Sequence, residues 1–267
     1  MRIKFDCFPE GKCKALTMSY DDGQIHDKRL VELFNKFGIR GTFHLNSGNF
    51  DKEGSVRSSE VATLYKGHEV SVHTVSHPHL GSLPKEAVIN EIMEDRRALE
   101  KLTGYPVRGM SYPFGTYTDE VVDLLPMLGI EYSRTVVATE KFDLPENYLV
   151  WTATCHHNAK NLMELGESFN EIKEMGRMRL MYVWGHSYEF DRNNNWEIIE
   201  EFCSFMSNKE DIWYATNIEI VDYIKAVRNL KISADNDIIY NPSALSVWIS
   251  VDGNSMKIKS GETVRLG

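Results

Sequence analysis

Two acids and three histidines are spaced along the chain in a pattern that could support metal-assisted chemistry. The stretch SYDDG places Asp21 and Asp22 side by side, and VHTVSHPH places His73 and His77 four positions apart. Two neutral imidazoles and one carboxylate make a three-ligand zinc set with an open fourth position. Adjacent carboxylates at a strand end point in different directions, so one can bind the metal while the other serves as a base. His186, in VWGHSYEF, could exchange a proton near neutral pH.

Each of these motifs also has a structural explanation when it is taken alone. An isolated DDG is most often a solvated turn closed by Gly23. A histidine pair at this spacing is often one ring in the core and another at the surface. The stretch SYPFG could be a rigid turn around Pro113 or one wall of a sugar-sized groove. The motifs therefore define a site only if the fold brings them together.

Short apolar runs alternate with helical patterns up to about residue 228. This alternation predicts an α/β fold with parallel strands and helical crossovers, and the number of units favours a barrel. In barrels the chemistry collects at the carboxyl ends of the strands, where we expect DDG, His73, SYPFG and His186 to converge. The predicted strands cover residues 14–20, 39–45, 68–73, 107–112, 130–136, 148–153, 179–186 and 212–216. The predicted helices cover residues 26–38, 58–67, 83–104, 118–129, 195–206 and 217–230.

The pattern changes after about residue 230. Hydrophobic residues there alternate with period two, and turn signals stand at Asn241-Pro242, Asp252-Gly253 and Ser260-Gly261. This pattern predicts a β appendage of two or three strands on residues 230–267, after a barrel domain on residues 1–229. So short a segment can hardly form an independent core, so we expect it to pack on the barrel.

Composition and charge exclude several other classes of protein. Of the 267 residues, 42% are hydrophobic and 26% are charged, which is ordinary for a globular protein with a large core. The net charge of -9 argues against a nucleic-acid partner, since phosphate binding depends on clustered Lys and Arg. The four cysteines form no C-x-x-C pair, and the chain has neither a long apolar span nor an apolar leader near Met1. We therefore expect a cytoplasmic protein with reduced thiols and no membrane partner.

Taken in order, the stretches TMSYDDG, HTVSH, SYPFG and VWGH resemble the motifs of polysaccharide deacetylases. This family is carbohydrate esterase family 4, with the NodB homology domain, and the resemblance spans about residues 14 to 215. T-F-D-D together with H-S/T-x-x-H is the family's metal signature. Here Ser19 and Tyr20 replace the usual Thr and Phe. The family fold is a distorted (β/α) barrel, in agreement with the alternation of strands and helices.

The resemblance implies a role for each matching residue. Asp22, His73 and His77 would bind a divalent metal, most often Zn²⁺, with Co²⁺, Ni²⁺ or Mn²⁺ as alternatives. Asp21 would be the general base, and His186 the general acid that protonates the leaving amine. The resemblance also implies that Thr74 would steady the histidine loop and that the Tyr112 backbone N–H would meet an oxyanion. The residue types themselves indicate four substrate-binding side chains: Tyr112, Pro113, Phe114 and Trp184.

Two family motifs are altered in this chain. The third is usually R-P-P-Y-G, whose Arg pairs with the catalytic base, but Ser111 stands at that position and Arg108 lies three residues too early. Our hypothesis is that Arg134, on the next strand, reaches the base from another direction. The fourth motif, D-x-x-D-W, is missing, so the acid that tunes the catalytic histidine has no counterpart. Either His156 or His157 enters the site instead, or both decorate a loop.

These observations favour a metal-dependent carbohydrate deacetylase, an enzyme that would hydrolyse an N-acetylated or, less favoured, an O-acetylated saccharide. The first alternative is the same metal site acting on a non-sugar amide. The second is a barrel that binds saccharide without turnover. The base, metal and acid set of Asp21, Asp22, His73, His77 and His186 argues against the second alternative, because a pure binding protein does not need it.

Overall fold

Strands and helices alternate along the chain in the order that the sequence predicts. A computed structural model describes residues 1–173 and 176–267. Its strands are β1 Ile3–Lys4, β2 Lys14–Asp21, β3 Gly41–Leu45, β4 Glu69–Val72, β5 Gly109–Ser111, β6 Tyr132–Ala138, β7 Trp151–Ala153, β8 Cys155–His156, β9 Arg179–His186, β10 Ile212–Tyr214, β11 Lys231–Ile232, β12 Ile238–Tyr240, β13 Val247–Val251, β14 Asn254–Ile258 and β15 Thr263–Arg265. Its α-helices are α1 Asp27–Phe37, α2 Val61–Leu64, α3 Lys85–Thr103, α4 Asp119–Leu124, α5 Leu162–Glu171, α6 Ser187–Arg192, α7 Trp196–Met206 and α8 Asn217–Arg228.

The helices begin and end where local sequence signals place them. α1 buries Leu30, Val31 and Phe34, and it ends at Gly38, whose φ of 65° suits a residue without a side chain. α8 begins at a capping box in which the Thr216 hydroxyl accepts from the Glu219 N–H. All six predicted helices are present, although α2 and α4 are shorter than predicted and continue into or from 3₁₀ turns. The sequence patterns did not reveal α5 and α6.

The central sheet explains how distant segments reach one site. Its strand order is β7-β6-β5-β4-β3-β2-β9-β8, with β10 beside the first half of β2, and every pairing in it is parallel. The two ends of this order, β7 and β8, belong to one continuous stretch of chain, so that stretch brings the edges of the sheet together. The Thr154 N–H between them donates to the Tyr182 carbonyl at 2.8 Å. The predicted α/β class and distorted barrel are confirmed.

The C-terminal segment forms five short strands instead of the two or three that were predicted. They make two antiparallel sheets, β1-β13-β14 and β11-β12-β15. The first sheet includes β1 from the beginning of the chain, a pairing that no local pattern could reveal. Ile249 and Ile258 are fully buried, and the Trp248 N–H donates to the Tyr223 hydroxyl on α8 at 3.0 Å. The tail therefore packs on the barrel, while the boundary between residues 229 and 230 stays a prediction.

One buried carboxyl group joins α1 to α6 and to the residue that follows α2. Asp27 at the start of α1 is fully buried, and it accepts hydrogen bonds from Ser187 at 2.5 Å and from Tyr65 at 2.6 Å. Burial raises the pKa of Asp27 to about 7, although the two hydroxyl donors oppose this shift. The folded chain therefore retains this proton at pH values where the unfolded chain has released it.

We expect the titration of Asp27 to make the folded protein less stable as the pH rises from about 4 to about 7. Asp27→Asn cannot titrate, so the pH dependence of its free energy of unfolding should be flatter, by up to about 1.4 kcal/mol per pH unit. Urea unfolding at several pH values in this range would measure this difference. The exposed Asp235 provides the control variant Asp235→Asn, which should keep the wild-type slope. Equal slopes for wild type and Asp27→Asn would contradict the assignment.

Candidate metal centre and active site

The residues predicted to do chemistry converge at the carboxyl-terminal edge of the sheet. Asp21 and His186 end the adjacent strands β2 and β9, where they are register partners. His73 follows the end of β4, and Ser111 ends β5. Parallel strands finish at the same edge, so four separate parts of the sequence meet in one place.

Asp22, His73 and His77 form a group that could hold a metal ion. The Asp22 Oδ1 atom lies 3.6 Å from His73 Nε2 and 3.7 Å from His77 Nε2, and the three ligand atoms all lie within 4.8 Å of one another. Nitrogen and carboxylate donors at this separation suit a zinc-like ion with a further position left open. The predicted ligands are therefore together in the fold.

Neighbouring groups hold the His73 ring in the orientation that a ligand needs. Its Nδ1 atom lies 2.9 Å from the Ser111 carbonyl, so a proton there leaves the Nε2 lone pair free towards Asp22. The His73 backbone N–H donates to the buried Asp95 carboxylate at 3.0 Å. Burial lowers the pKa of His73, although the nearby Asp21 and Asp22 oppose this shift. The ring is therefore held neutral, which is the form that binds metal.

Left-handed backbone is concentrated around this group. Asp22, Thr74, His77 and Phe114 have φ values of 81°, 69°, 57° and 57°. Such conformations cost free energy in residues other than glycine, especially in a β-branched residue such as Thr74. The Thr74 hydroxyl accepts the His77 N–H at 3.1 Å, which is the loop-steadying contact expected from the sequence. The surrounding structure thus holds a strained loop in a conformation that directs both histidines at Asp22.

Asp21 lies behind the candidate metal ligands and forms a buried ion pair with Arg134. The guanidinium Nη2 donates to Asp21 Oδ2, and the Ser111 hydroxyl donates to Oδ1 at 3.2 Å. Ser111 and Arg134 are register partners on β5 and β6. The Arg134 guanidinium therefore reaches Asp21 from β6, whereas the Arg of the usual third motif would stand at position 111 on β5. Arg108 pairs elsewhere, with Asp222 at 2.7 Å.

The charge of Asp21 is set by two opposing effects. Burial alone would raise the pKa of the Asp21 carboxyl, but the Arg134 guanidinium, followed by His73, holds it well below its usual range. Asp21 is therefore a carboxylate throughout the physiological pH range. A fixed negative charge beside the ligand group favours binding of a cation.

Comparisons with known proteins agree with this geometry. A sequence model of the polysaccharide deacetylase family matches residues 9–133. Over these residues the chain is therefore similar to polysaccharide deacetylases. It is 25% identical over 135 residues to the peptidoglycan-N-acetylglucosamine deacetylase PgdA of Listeria monocytogenes, and 24% identical over 119 residues to a chitin deacetylase of a Pestalotiopsis species. These alignments cover 49% and 44% of this chain but only 28% and 39% of the two relatives.

Solved structures share the fold of this chain. A structure from Mycobacterium smegmatis described as a polysaccharide deacetylase superposes with a TM-score of 0.63, at 16% identity, over 83% of this chain and 93% of its own. A family 4 carbohydrate esterase pseudoenzyme from Bacillus anthracis superposes with a TM-score of 0.50, at 17% identity, over 80% of this chain and 66% of its own. A mutant of this pseudoenzyme, described as having restored enzymatic activity, superposes with the same TM-score of 0.50, at 16% identity, over 80% of this chain and 69% of its own. An active and an inactive protein can therefore share this fold.

The aromatic residues predicted to bind substrate differ in their exposure. Phe114 is 52% exposed, and its ring lies 4.4 Å from that of His77, so it borders the cleft. Tyr112 and Pro113 are buried, and Trp184 is 8% exposed, with its ring under the Arg134 guanidinium at 4.4 Å. These three can shape the cleft, but they offer little surface to a ligand. Their substrate-binding role stays a prediction.

The expected oxyanion contact of Tyr112 is wrong. Its backbone N–H donates to the Arg134 carbonyl at 3.0 Å, in continuation of the pairing between β5 and β6. A donor engaged in this way cannot also meet an oxyanion. The sequence could not show this, because it does not reveal where a strand pairing ends.

The sequence patterns missed Glu189, which lies beside His186. Its Oε2 atom lies 3.6 Å from His186 Nδ1, and His156 and His157 also contact it. The available signal was the spacing of three residues from His186, which places both on one face of a helical turn. His156 and His157 therefore lie beside the site, and His157 is fully buried. Ser111 and Asp95 were also missed as groups that orient His73.

We expect the purified protein to bind one divalent ion per chain at Asp22, His73 and His77. His73→Ala removes one of three ligands, so it should lower the affinity for Zn²⁺ more than tenfold, since even outer-shell changes cost about 10–100-fold. Elemental analysis after dialysis and calorimetric titration would measure this. His79→Ala is the control, because His79 is exposed and stacks on Phe114. Equal retention of zinc by wild type and His73→Ala would contradict the ligand assignment.

The buried ion pair predicts a specific pattern of stability. Arg134→Met leaves the Asp21 carboxylate buried without its partner, so it should lower the free energy of unfolding by about 3–5 kcal/mol. The double variant Asp21→Asn with Arg134→Met removes both charges and should regain a large part of this loss. Urea unfolding of the metal-free single and double variants would measure the coupling. Additive effects of the two substitutions would show that the pair does not act as a unit.

Proposed function

We propose that this protein is a metal-dependent hydrolase that removes acetyl groups from an N-acetylated saccharide. The observation that carries the proposal is the placement of an ion-paired carboxylate, Asp21, beside the ligand group and next to His186. Amide hydrolysis needs a cation site, an acceptor for the proton of water and a donor for the leaving amine. The names of the chitin and peptidoglycan deacetylase relatives support an N-acetylated sugar as substrate.

The ligand group would hold an ion, and zinc fits its donors best. Asp22, His73 and His77 supply one oxygen and two nitrogens, the set that zinc takes in hydrolytic sites. When bound, such an ion supplies Lewis-acid polarisation of a carbonyl oxygen and makes a neighbouring water more acidic. The protein contributes the preset ring orientation of His73 and the strained loop that carries His77.

Asp21 would accept the proton of the attacking water. As the oxygen of water forms its bond to the acetyl carbon, the Asp21 carboxylate takes up the proton released. Arg134 and Ser111 hold this carboxylate in place, so little reorganisation accompanies the reaction. The Arg134 charge also makes Asp21 a weak base, so water is deprotonated there only when it has already been made more acidic.

His186 would complete the reaction as the acid. As the carbon–nitrogen bond breaks, the imidazolium gives its proton to the departing nitrogen, and the products are acetate and a free amine. Burial alone would lower the pKa of His186, but Glu189, followed by Asp21 and Asp22, raises it above its ordinary value. The protonated form is therefore available at neutral pH. Phe114, exposed at the rim, offers an aromatic face to a sugar ring.

The test is acetate release from chitooligosaccharides by the zinc-loaded protein. Asp21→Asn should lower the turnover rate about 10²–10⁴-fold, which is the usual contribution of a general base. It should still bind one ion, because Asp21 is not a ligand. Asp235→Asn is the matched control and should keep both turnover and metal.

The other outcomes distinguish the remaining functions. Hydrolysis of small non-sugar amides without acetate release from saccharides would reassign the substrate. Saccharide binding without any turnover in the zinc-loaded protein would make the chain a binding protein. Its fold is compatible with this outcome, because a pseudoenzyme shares it. Zinc binding that persists in His73→Ala would refute the site itself. No helix among residues 1–173 and 176–267 has the length and apolar composition needed to cross a membrane.

A further inference from the structure

Three histidines converge on the single carboxylate of Glu189, beside the proposed active site. The Glu189 Oε2 atom lies 3.0 Å from His157 Nε2, 3.1 Å from His156 Nε2 and 3.6 Å from His186 Nδ1. Neither His157 Nε2 nor His186 Nδ1 forms a hydrogen bond within the part of the chain that the structure describes. The Glu189 carboxylate is therefore their ion-pair partner at the distances given above.

The cluster requires a residue without a side chain at position 185, because His157 occupies the space beside it. His157 is fully buried between the rings of Tyr20 and Phe190, with ring centroids 5.6 and 4.0 Å away. A Cβ atom on Gly185 would lie 2.0 Å from His157 Nδ1, so a side chain at position 185 would displace the ring. Gly185, which precedes His186, therefore allows the His157 ring to pack directly against β9.

The start of α6 is anchored so that Glu189 reaches back over His186. Ser187, the first residue of α6, donates to the buried Asp27 at 2.5 Å. Glu189 is three residues beyond His186, so the first helical turn places its carboxylate on the Nδ1 side of that ring. The Nε2 atom of His186 then remains available to the cleft.

His156, His186 and Glu189 also lie close enough together to hold a metal ion, so a second metal site is an alternative explanation of this cluster. The Asn158 backbone N–H donates to His156 Nδ1 at 3.1 Å. A neutral imidazole that accepts at Nδ1 carries its proton on Nε2, the atom that faces Glu189. A metal ion on Nε2 would require this proton to be lost or to move to Nδ1, where it would break the hydrogen bond from the Asn158 N–H. The hydrogen-bond pattern therefore favours a proton-sharing cluster over a second metal site.

We propose that Glu189 is the positioning residue for His186, with His156 and His157 holding its carboxylate in place. This inference deepens the proposed function and rests on it, because His186 is the acid of that reaction. Glu189 takes the place of the acid that the missing fourth motif would supply, but from the helix that follows the catalytic histidine. The charged and titratable groups around His186 among the described residues are Glu189, Asp21, Asp22, His156, His157 and Tyr188.

The test compares Glu189→Gln and Glu189→Asp with wild type. Glu189→Gln keeps the shape but removes the charge, so turnover should fall about 10–100-fold at neutral pH. The alkaline limb of its pH–rate profile should move about one pH unit lower, because the imidazolium loses its partner. Glu189→Asp retains the charge and should keep the alkaline limb closer to its wild-type position. Glu201→Gln, on an exposed part of α7, is the matched control and should change neither quantity.

A second readout does not depend on activity. Nitrogen-15 NMR of the His186 ring in the metal-free protein should show protonated Nδ1 in wild type, and titration at lower pH in Glu189→Gln. An unchanged His186 titration in Glu189→Gln would overturn the proposal. A second zinc ion that binds wild type and is lost in Glu189→Gln would also overturn it. If the protein released no acetate, the NMR titration would still test the positioning, so the two proposals can fail separately.

Discussion

Asp21 and Arg134 lie inside the barrel almost without exposure to solvent, and the geometry of the site depends on their ion pair. Burying two charges is costly, and their attraction offsets the cost only when the remaining polar atoms also find partners. The Arg134 Nη1 atom donates to the Thr135 carbonyl at 3.0 Å, its guanidinium lies over Trp184, and Ser111 donates to Asp21. The buried Arg134 Nε atom has no hydrogen-bond partner among the described residues, so the compensation is incomplete. The pair thus joins β2, β5 and β6 at the level of the candidate metal ligands and leaves Asp22 free to face the histidines.

Buried carboxyl groups fix the loops and helix ends that carry the site residues. Asp95 on α3 accepts the backbone N–H of Ser47 at 2.7 Å and that of His73 at 3.0 Å, so one side chain fixes the segments after β3 and β4. Asp27 does the same for the start of α6 through Ser187. These anchors explain how Thr74 and His77 are kept in left-handed conformations, because the cost of a strained loop is distributed over a rigid frame.

The position of Arg134 shows how a guanidinium can reach a buried carboxylate from a neighbouring strand. Ser111 stands where the family's third motif has Arg, and its register partner on the next strand, Arg134, supplies the guanidinium. Adjacent parallel strands bring equivalent positions to within a few ångströms, so a charge can arrive from either one. The same fold also supports a pseudoenzyme, which places the decision about activity in a few side chains and not in the barrel.

Local patterns in the sequence were sufficient for eight of the nine strands of the central sheet, with β8 missed, and for the six predicted helices. The family resemblance was needed to group Asp22 with His73 and His77. Periodicity and short spacings describe residues that are near one another along the chain. The end of a predicted parallel strand also indicates the edge of the sheet at which its last residues lie. The sequence also suggested Arg134, but only the register of β5 and β6 placed it on Asp21. Tertiary structure alone decided the pairing of β1 with β13, the engagement of the Tyr112 N–H and the meeting of Glu189 with His156 and His157. Each of these contacts depends on how the strands and helices pack, and no local pattern encodes that arrangement.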